Sequence, residues 1–145
     1  MHYTFYVTVH ARPAGAATGP TIALGGRSLA TLKVQPEELA KTTFADSFEA
    51  TVARLMQLER MFCEPDGSFV WVGSQQETPW QVDGNLYDRD GRLLFVDLKG
   101  NCPREAFDRF LTALGWPATQ VMFQLTREAV FLDEAEFRSF AAVAV

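Results

Sequence analysis

The sequence predicts an α+β fold: a single domain, residues 1–145, in which two or three helices pack against a mainly antiparallel sheet. Three observations carry this. Residues 2–10 alternate strictly, with Tyr3, Phe5, Val7 and Val9 on one side and His2, Thr4, Tyr6, Thr8 and His10 on the other, which is the period of a half-buried strand. Turn chemistry at Pro65-Asp66-Gly67 and Asp90-Gly91 cuts residues 68–99 into strand-length runs, an antiparallel meander. Two flanking stretches space their apolar residues by three and four, the period of an amphipathic helix. The runner-up architecture is a ferredoxin-like sandwich, with the first strand, main helix, meander, second helix and late strand in successive places.

Each element follows from its own residues. After the first strand, residues 11–20 are small, punctuated by Gly and Pro and almost uncharged, so a loop is expected. A hairpin over 21–24 and 27–34 is predicted around Gly25-Gly26, because two glycines supply the positive φ angles of a tight turn. Pro36 opens a short helical turn, its missing N–H costing nothing at a first helical position. Residues 1–45 thus form a strand and hairpin region, and residues 46–140 a core of helix, three strands, helix, strand and helix.

The main helix is predicted over 46–60, with Phe44, Phe48, Val52, Leu55 and Met56 as its stripe; at 100° per residue Glu59 falls within that stripe. Strands at 68–73, 81–87 and 92–99 form the meander. A second helix starts at Pro103, with Cys102 in the capping position and Glu105 placed to reach back; Gly115 and Pro117 stop it. A strand over 120–126 and an apolar run over 129–132 precede a capping box, Asp133 and Glu136, for a last helix to about residue 140. The tail over 141–145 is apolar and can dock on the domain or on a partner.

Composition narrows the function classes. With 48% hydrophobic and 21% charged residues the chain has the make-up of a folded domain. The net charge of −5 is spread over both halves without a basic block, which argues against non-specific nucleic-acid binding. No apolar run approaches the ~20 residues that cross a bilayer, so no membrane span is expected. The N-terminus lacks the pattern of a secretory signal, and two isolated cysteines suit a reducing compartment, so a cytoplasmic location is expected.

The chemistry-bearing residues sit in the meander. Asp97 and Lys99 lie two apart at a strand end and share a face, and Asp83 stands on the preceding strand. Together with the element order from residue 46 onward, Asp83 and the Asp97-Leu98-Lys99 triplet resemble the PD-(D/E)xK nuclease superfamily, although Val82 stands where that family usually has proline. The resemblance implies that Asp83 and Asp97 hold Mg²⁺, that Lys99 positions the attacking water and that Glu59 completes the site from the helix, giving phosphodiester hydrolysis on nucleic acid. The alternative for the same residues is a solvated Asp97–Lys99 ion pair, with Glu59 turned to solvent or paired with Arg60.

Other candidates carry less. His2 and His10 are eight residues apart on one strand, on the order of 26 Å, and cannot share a metal. Cys102 at a helix N-terminus is either a dipole-stabilised thiolate or an ordinary cap, and the absence of a neighbouring His or Cys favours the cap. Asp88-Arg89-Asp90-Gly91 lacks the ligand spacing of a calcium loop and reads as a hairpin turn. Trp80, after Pro79 and a polar loop, is expected to be partly exposed and open to a partner. The sequence favours a small binding or assembly module without catalysis, a homodimer through an edge strand or the apolar tail, over the Mg²⁺-dependent hydrolase.

Overall fold

A computed structural model describes residues 1–143. Its elements are β1 (His2–Ala11), β2 (Ala17–Leu24), β3 (Arg27–Lys33), α1 (Pro36–Lys41), α2 (Phe48–Leu55), β4 (Met61–Cys63), β5 (Ser68–Val72), β6 (Gln81–Arg89) and β7 (Arg92–Pro103). They continue with α3 (Arg104–Ala113), β8 (Val121–Leu125), β9 (Phe131–Asp133), α4 (Glu134–Ala141) and β10 (Ala142–Val143). All strand pairs are antiparallel, in the order β2-β3-β9-β8-β1-β7-β6-β5-β4, with β10 also on β1. The predicted α+β class is therefore observed. Its inner strands, β8-β1-β7-β6, with α2 between β1 and β6 and α3 between β7 and β8, follow the strand order of the ferredoxin-like runner-up. Hairpins on both sides extend that plan to ten strands.

The strand β1 is the hub. It registers His2 to His10 against β7 on one side, and Val7 to Ala11 against β8 on the other. Tyr3, Phe5, Val7, Val9 and Ala11 are all buried, so its odd positions face the core. The helices α3 and α4 close on that side. Phe5 lies 5.4 Å from Phe107 of α3 and 6.4 Å from Phe137 of α4, and Phe137 stacks on Phe123 of β8 at 4.0 Å. Arg138 ties the same elements together: it pairs with Asp108 of α3 at 2.7 Å, donates to the Tyr3 hydroxyl at 3.2 Å and lies over the Trp116 ring. Beyond Ala11, residues 44–47 take the place of β1 beside the start of β7, through Phe44 N–H to Leu93 O at 2.9 Å and a Ser47–Arg92 bridge.

Several boundaries differ from the sequence expectation. Ala17 to Pro20 are strand, not loop; β2 is an edge strand whose register shifts between Thr18 and Thr21, and an edge tolerates the proline. The main helix ends at Leu55 instead of residue 60. Gln57 and Leu58 donate to carbonyls three residues back, at Arg54 and Leu55, and Arg60 adopts φ 59°, so the chain winds out of the helix. The three-residue strand β4 follows, which no periodicity announces. β7 runs to Pro103 because β1 pairs with it along its whole later half, and this turns Cys102 from a helix cap into a strand residue opposite Tyr3. The cap of α3 is Pro103, without a side-chain bond. The Asp133 cap is observed as predicted, accepting from Glu136 N–H at 2.8 Å. Of the apolar tail, Ala142 and Val143 dock on β1; the last two residues lie outside the described part.

Because Phe137 is fully buried and stacks on Phe123, its truncation to Ala removes both transfer energy and packing. Urea unfolding of Phe137→Ala is expected to show a loss of about 3–5 kcal/mol. A loss below about 1 kcal/mol would contradict the core described here.

Candidate functional site

The even positions of β1 face the side of the sheet opposite α2, α3 and α4, and the ladder register extends them into rows. One row reads Phe62, Val70, Asp83, Lys99, Tyr6 across β4, β5, β6, β7 and β1. The next reads Ser68, Asn85, Asp97, Thr8, Gln124, Phe131. A third brings Tyr87, Phe95, His10 and Met122 together. This helix-free face holds the predicted acids and lysine.

Asp83, Asp97 and Lys99 line one shallow pocket with Tyr6, Asn85 and Thr126. Within it Asp83 is directly opposite Lys99, and Asp97 is one step diagonal to Asp83. Each acid already has a neutral donor. Thr8 Oγ1 donates to Asp97 Oδ1 at 2.8 Å, and Gln81 Nε2 donates to Asp83 Oδ1 at 2.8 Å. The ammonium of Lys99 sits over the Tyr6 ring, 5.2 Å from its centroid, instead of against a carboxylate. A solvated Asp97–Lys99 ion pair is thus absent among the described residues, as the ion pairs lie elsewhere.

Glu59 does not join them. Helix α2 ends before it, its side chain is 85% exposed and paired with Arg60 at 3.2 Å, and its carbonyl accepts the Trp71 indole N–H at 3.0 Å. Trp71 packs on Phe110 of α3, which puts Glu59 on the helix side of the sheet. Among the described residues no three His, Cys, Asp or Glu side chains gather where one ion can be held. The donor set implied for Mg²⁺ is thereby reduced to Asp83 and Asp97, each also accepting from a neutral side chain, and Glu59 does not complete it.

Trp80 is a correction. It is 6% exposed, meets Trp71 edge-on with centroids 4.9 Å apart, and donates its indole N–H to Glu77 at 3.0 Å. The polar loop before it folds back as its hydrogen-bond partner, which is why an apparently loop-borne tryptophan is core. Cys102 is fully buried, and burial pushes its thiol up to about 12, the opposite of a dipole-activated thiolate.

The sequence placed Tyr6, Thr8 and His10 together on one side of the first strand but did not join them to the face of Asp83 and Asp97. His10 is 8% exposed, within 5.5 Å of Phe95 and 5.9 Å of Phe131, with Gln124 as its ring partner at 3.3 Å. Burial lowers its pKa, with the Gln124 bond and the Asp97 charge acting the other way. The Asp97 charge pushes the Tyr87 phenol up. Alternation in residues 2–10 marks these as non-core positions; their neighbours depend on pairings nearly ninety to over a hundred residues apart, which no local signal carries.

No family model matches the chain, and neither a curated protein nor a solved structure does.

Two outcomes follow from these environments. His10 has a folded pKa below its unfolded value of about 6.5, so the unfolded chain takes up the proton first and stability falls as pH drops through that region. Between about pH 7.5 and about pH 5 the urea midpoint of the wild type should therefore fall further than that of His10→Gln; parallel falls would contradict the assignment. In the folded protein Ellman's reagent should titrate no more than one thiol, Cys63, with Cys102 reacting only on unfolding.

Proposed function

We propose that the chain is a non-catalytic assembly module that receives a protein partner, in the simplest case a second copy of itself, on the helix-free face beside the β4 edge. The observation that supports this reading is the Phe62–Val70 pair. The two are directly opposed on the outermost strands, and are 64% and 40% exposed. Large apolar side chains adjacent at a sheet edge lose contact with water only by covering. The row they begin continues through Asp83 and Lys99, a carboxylate beside an ammonium. A two-fold axis passing between Asp83 and Lys99 sets each of these charges against its opposite in the other copy, and Val70 against Tyr6. Two free cysteines suit a reducing compartment, and the reading places the module in the cytoplasm.

Sedimentation should give a concentration-dependent dimer for the wild type and a monomer for Phe62→Asp, with the thermal midpoint of the two within a few degrees. A wild-type monomer at all concentrations, or a dimer indifferent to Phe62→Asp, would overturn the self-association.

A second reading, metal-dependent phosphodiester hydrolysis, is favoured by the sharing of one pocket by Asp83, Asp97 and Lys99. It predicts nicking of plasmid DNA or of RNA with Mg²⁺ or Mn²⁺ that Asp97→Asn and Lys99→Ala abolish while leaving the fold intact. Intact nucleic acid after incubation with wild type and either metal would remove it.

A further inference from the structure

The row that begins at Phe62 and Val70 crosses the seam between β6 and β7, and that seam is built from chemical complements. On the helix-free side the ladder sets Asp83 opposite Lys99, Asn85 opposite Asp97 and Tyr87 opposite Phe95. They are an acid and an ammonium, an amide and a carboxylate, and two aromatic rings. Asp83 and Lys99 are both exposed, yet no ion pair joins them. The carboxylate accepts from Gln81, and the ammonium lies over the Tyr6 ring. Two neighbouring opposite charges are thus left open toward the space above the sheet.

A two-fold axis running parallel to the strands, above the line between β6 and β7, exchanges the two strands. Each side chain then faces a copy of its own ladder partner. Asp83 meets Lys99 of the second copy and Lys99 meets its Asp83, so the four charges alternate in sign around the axis. Asn85 meets Asp97, and Tyr87 meets Phe95, by the same operation. Stacked sheets lie about 10 Å apart with their strands within about 30° of alignment, a gap that an aspartate and a lysine span together. The other charges of the face fit this arrangement. Asp97 comes to lie over a neutral amide, and Arg127 and Glu128 belong to the turn after β8, beyond Tyr6 from the axis.

We infer that the partner is a second copy of this chain, stacked face to face on the β6–β7 seam, and that the reciprocal Asp83–Lys99 contact makes the assembly selective for itself and sensitive to salt. The inference rests on the assembly proposed above and adds its geometry and its regulation. A copy of the same chain presents the exchanged order of charges with no further adaptation, whereas a different partner must carry that order on a sheet of its own. Ionic strength acts because the charges are exposed before association.

The test is sedimentation of the full chain and of two charge reversals, Asp83→Lys and Lys99→Asp. Each reversal sets like charges against each other in its own dimer, so its Kd should rise at least about a hundredfold over wild type. Mixed in equal amounts, the two should recover a dimer holding one of each, with a Kd within about tenfold of wild type. Raising NaCl from about 0.05 M to about 1 M should weaken the wild-type dimer at least about tenfold, and Asp83→Asn/Lys99→Met should abolish that salt dependence. A wild-type dimer that Phe62→Asp dissociates but that both reversals leave intact would overturn this inference and leave the assembly standing. Reversals that stay monomeric when mixed, or a wild-type dimer indifferent to salt, would overturn it as well. A wild-type monomer at every concentration would remove the inference together with the assembly.

Discussion

The two-residue period of β1 is the constraint on which the rest of the molecule depends. Its odd side chains fill the core against α3 and α4, and its even ones are thereby committed to the opposite face. A slip of one residue would drive Thr4, Tyr6 and Thr8 into the helix layer and expose Tyr3, Phe5 and Val7. Because β1 lies between β7 and β8, its register also decides which side chains of those strands become neighbours. Thr8 meets Asp97 and Gln124 for this reason, and Tyr6 meets Lys99. The composition of the helix-free face is a consequence of packing on the other side.

That coupling bears on the chemistry of the acids. Asp83 and Asp97 share a face, as an alternating meander requires, yet each is supplied with a hydrogen-bond donor from within the sheet. Lys99 is drawn to an aromatic ring. Glu59, the carboxylate that the nuclease resemblance would add to the two acids, is carried to the other side by the early end of α2. What this face leaves in contact with water at the β4 edge is the apolar pair Phe62 and Val70.

Local signals carried the elements whose stability is local. The alternation of residues 2–10, the Asp90-Gly91 turn with its φ of 53° and 84°, and the Asp133 cap of α4 are each written in a few adjacent residues. The common face of Asp83, Asp97 and Lys99 was legible for the same reason. The end of α2 was not, since its apolar spacing continues past Leu55 while tertiary contacts unwind the chain; Leu58 then packs on the core from a turn. Trp80 and Cys102 were misplaced because their burial depends on strands and loops remote in sequence. Between β10 and β8, Thr4 to Tyr6 of β1 have no strand residue registered opposite them, an interval set by strands from opposite ends of the chain that no window of sequence contains.

Whether β1 divides the molecule into a helix-covered core face and a face open to the proposed self-association is read by a dilution series followed by residue-resolved NMR. The account predicts concentration-dependent shifts at Phe62, Val70, Asp83 and Lys99, with the amides of α3 and α4 unmoved. Shifts concentrated on α3 and α4, or no concentration dependence at the β4 edge, would contradict it.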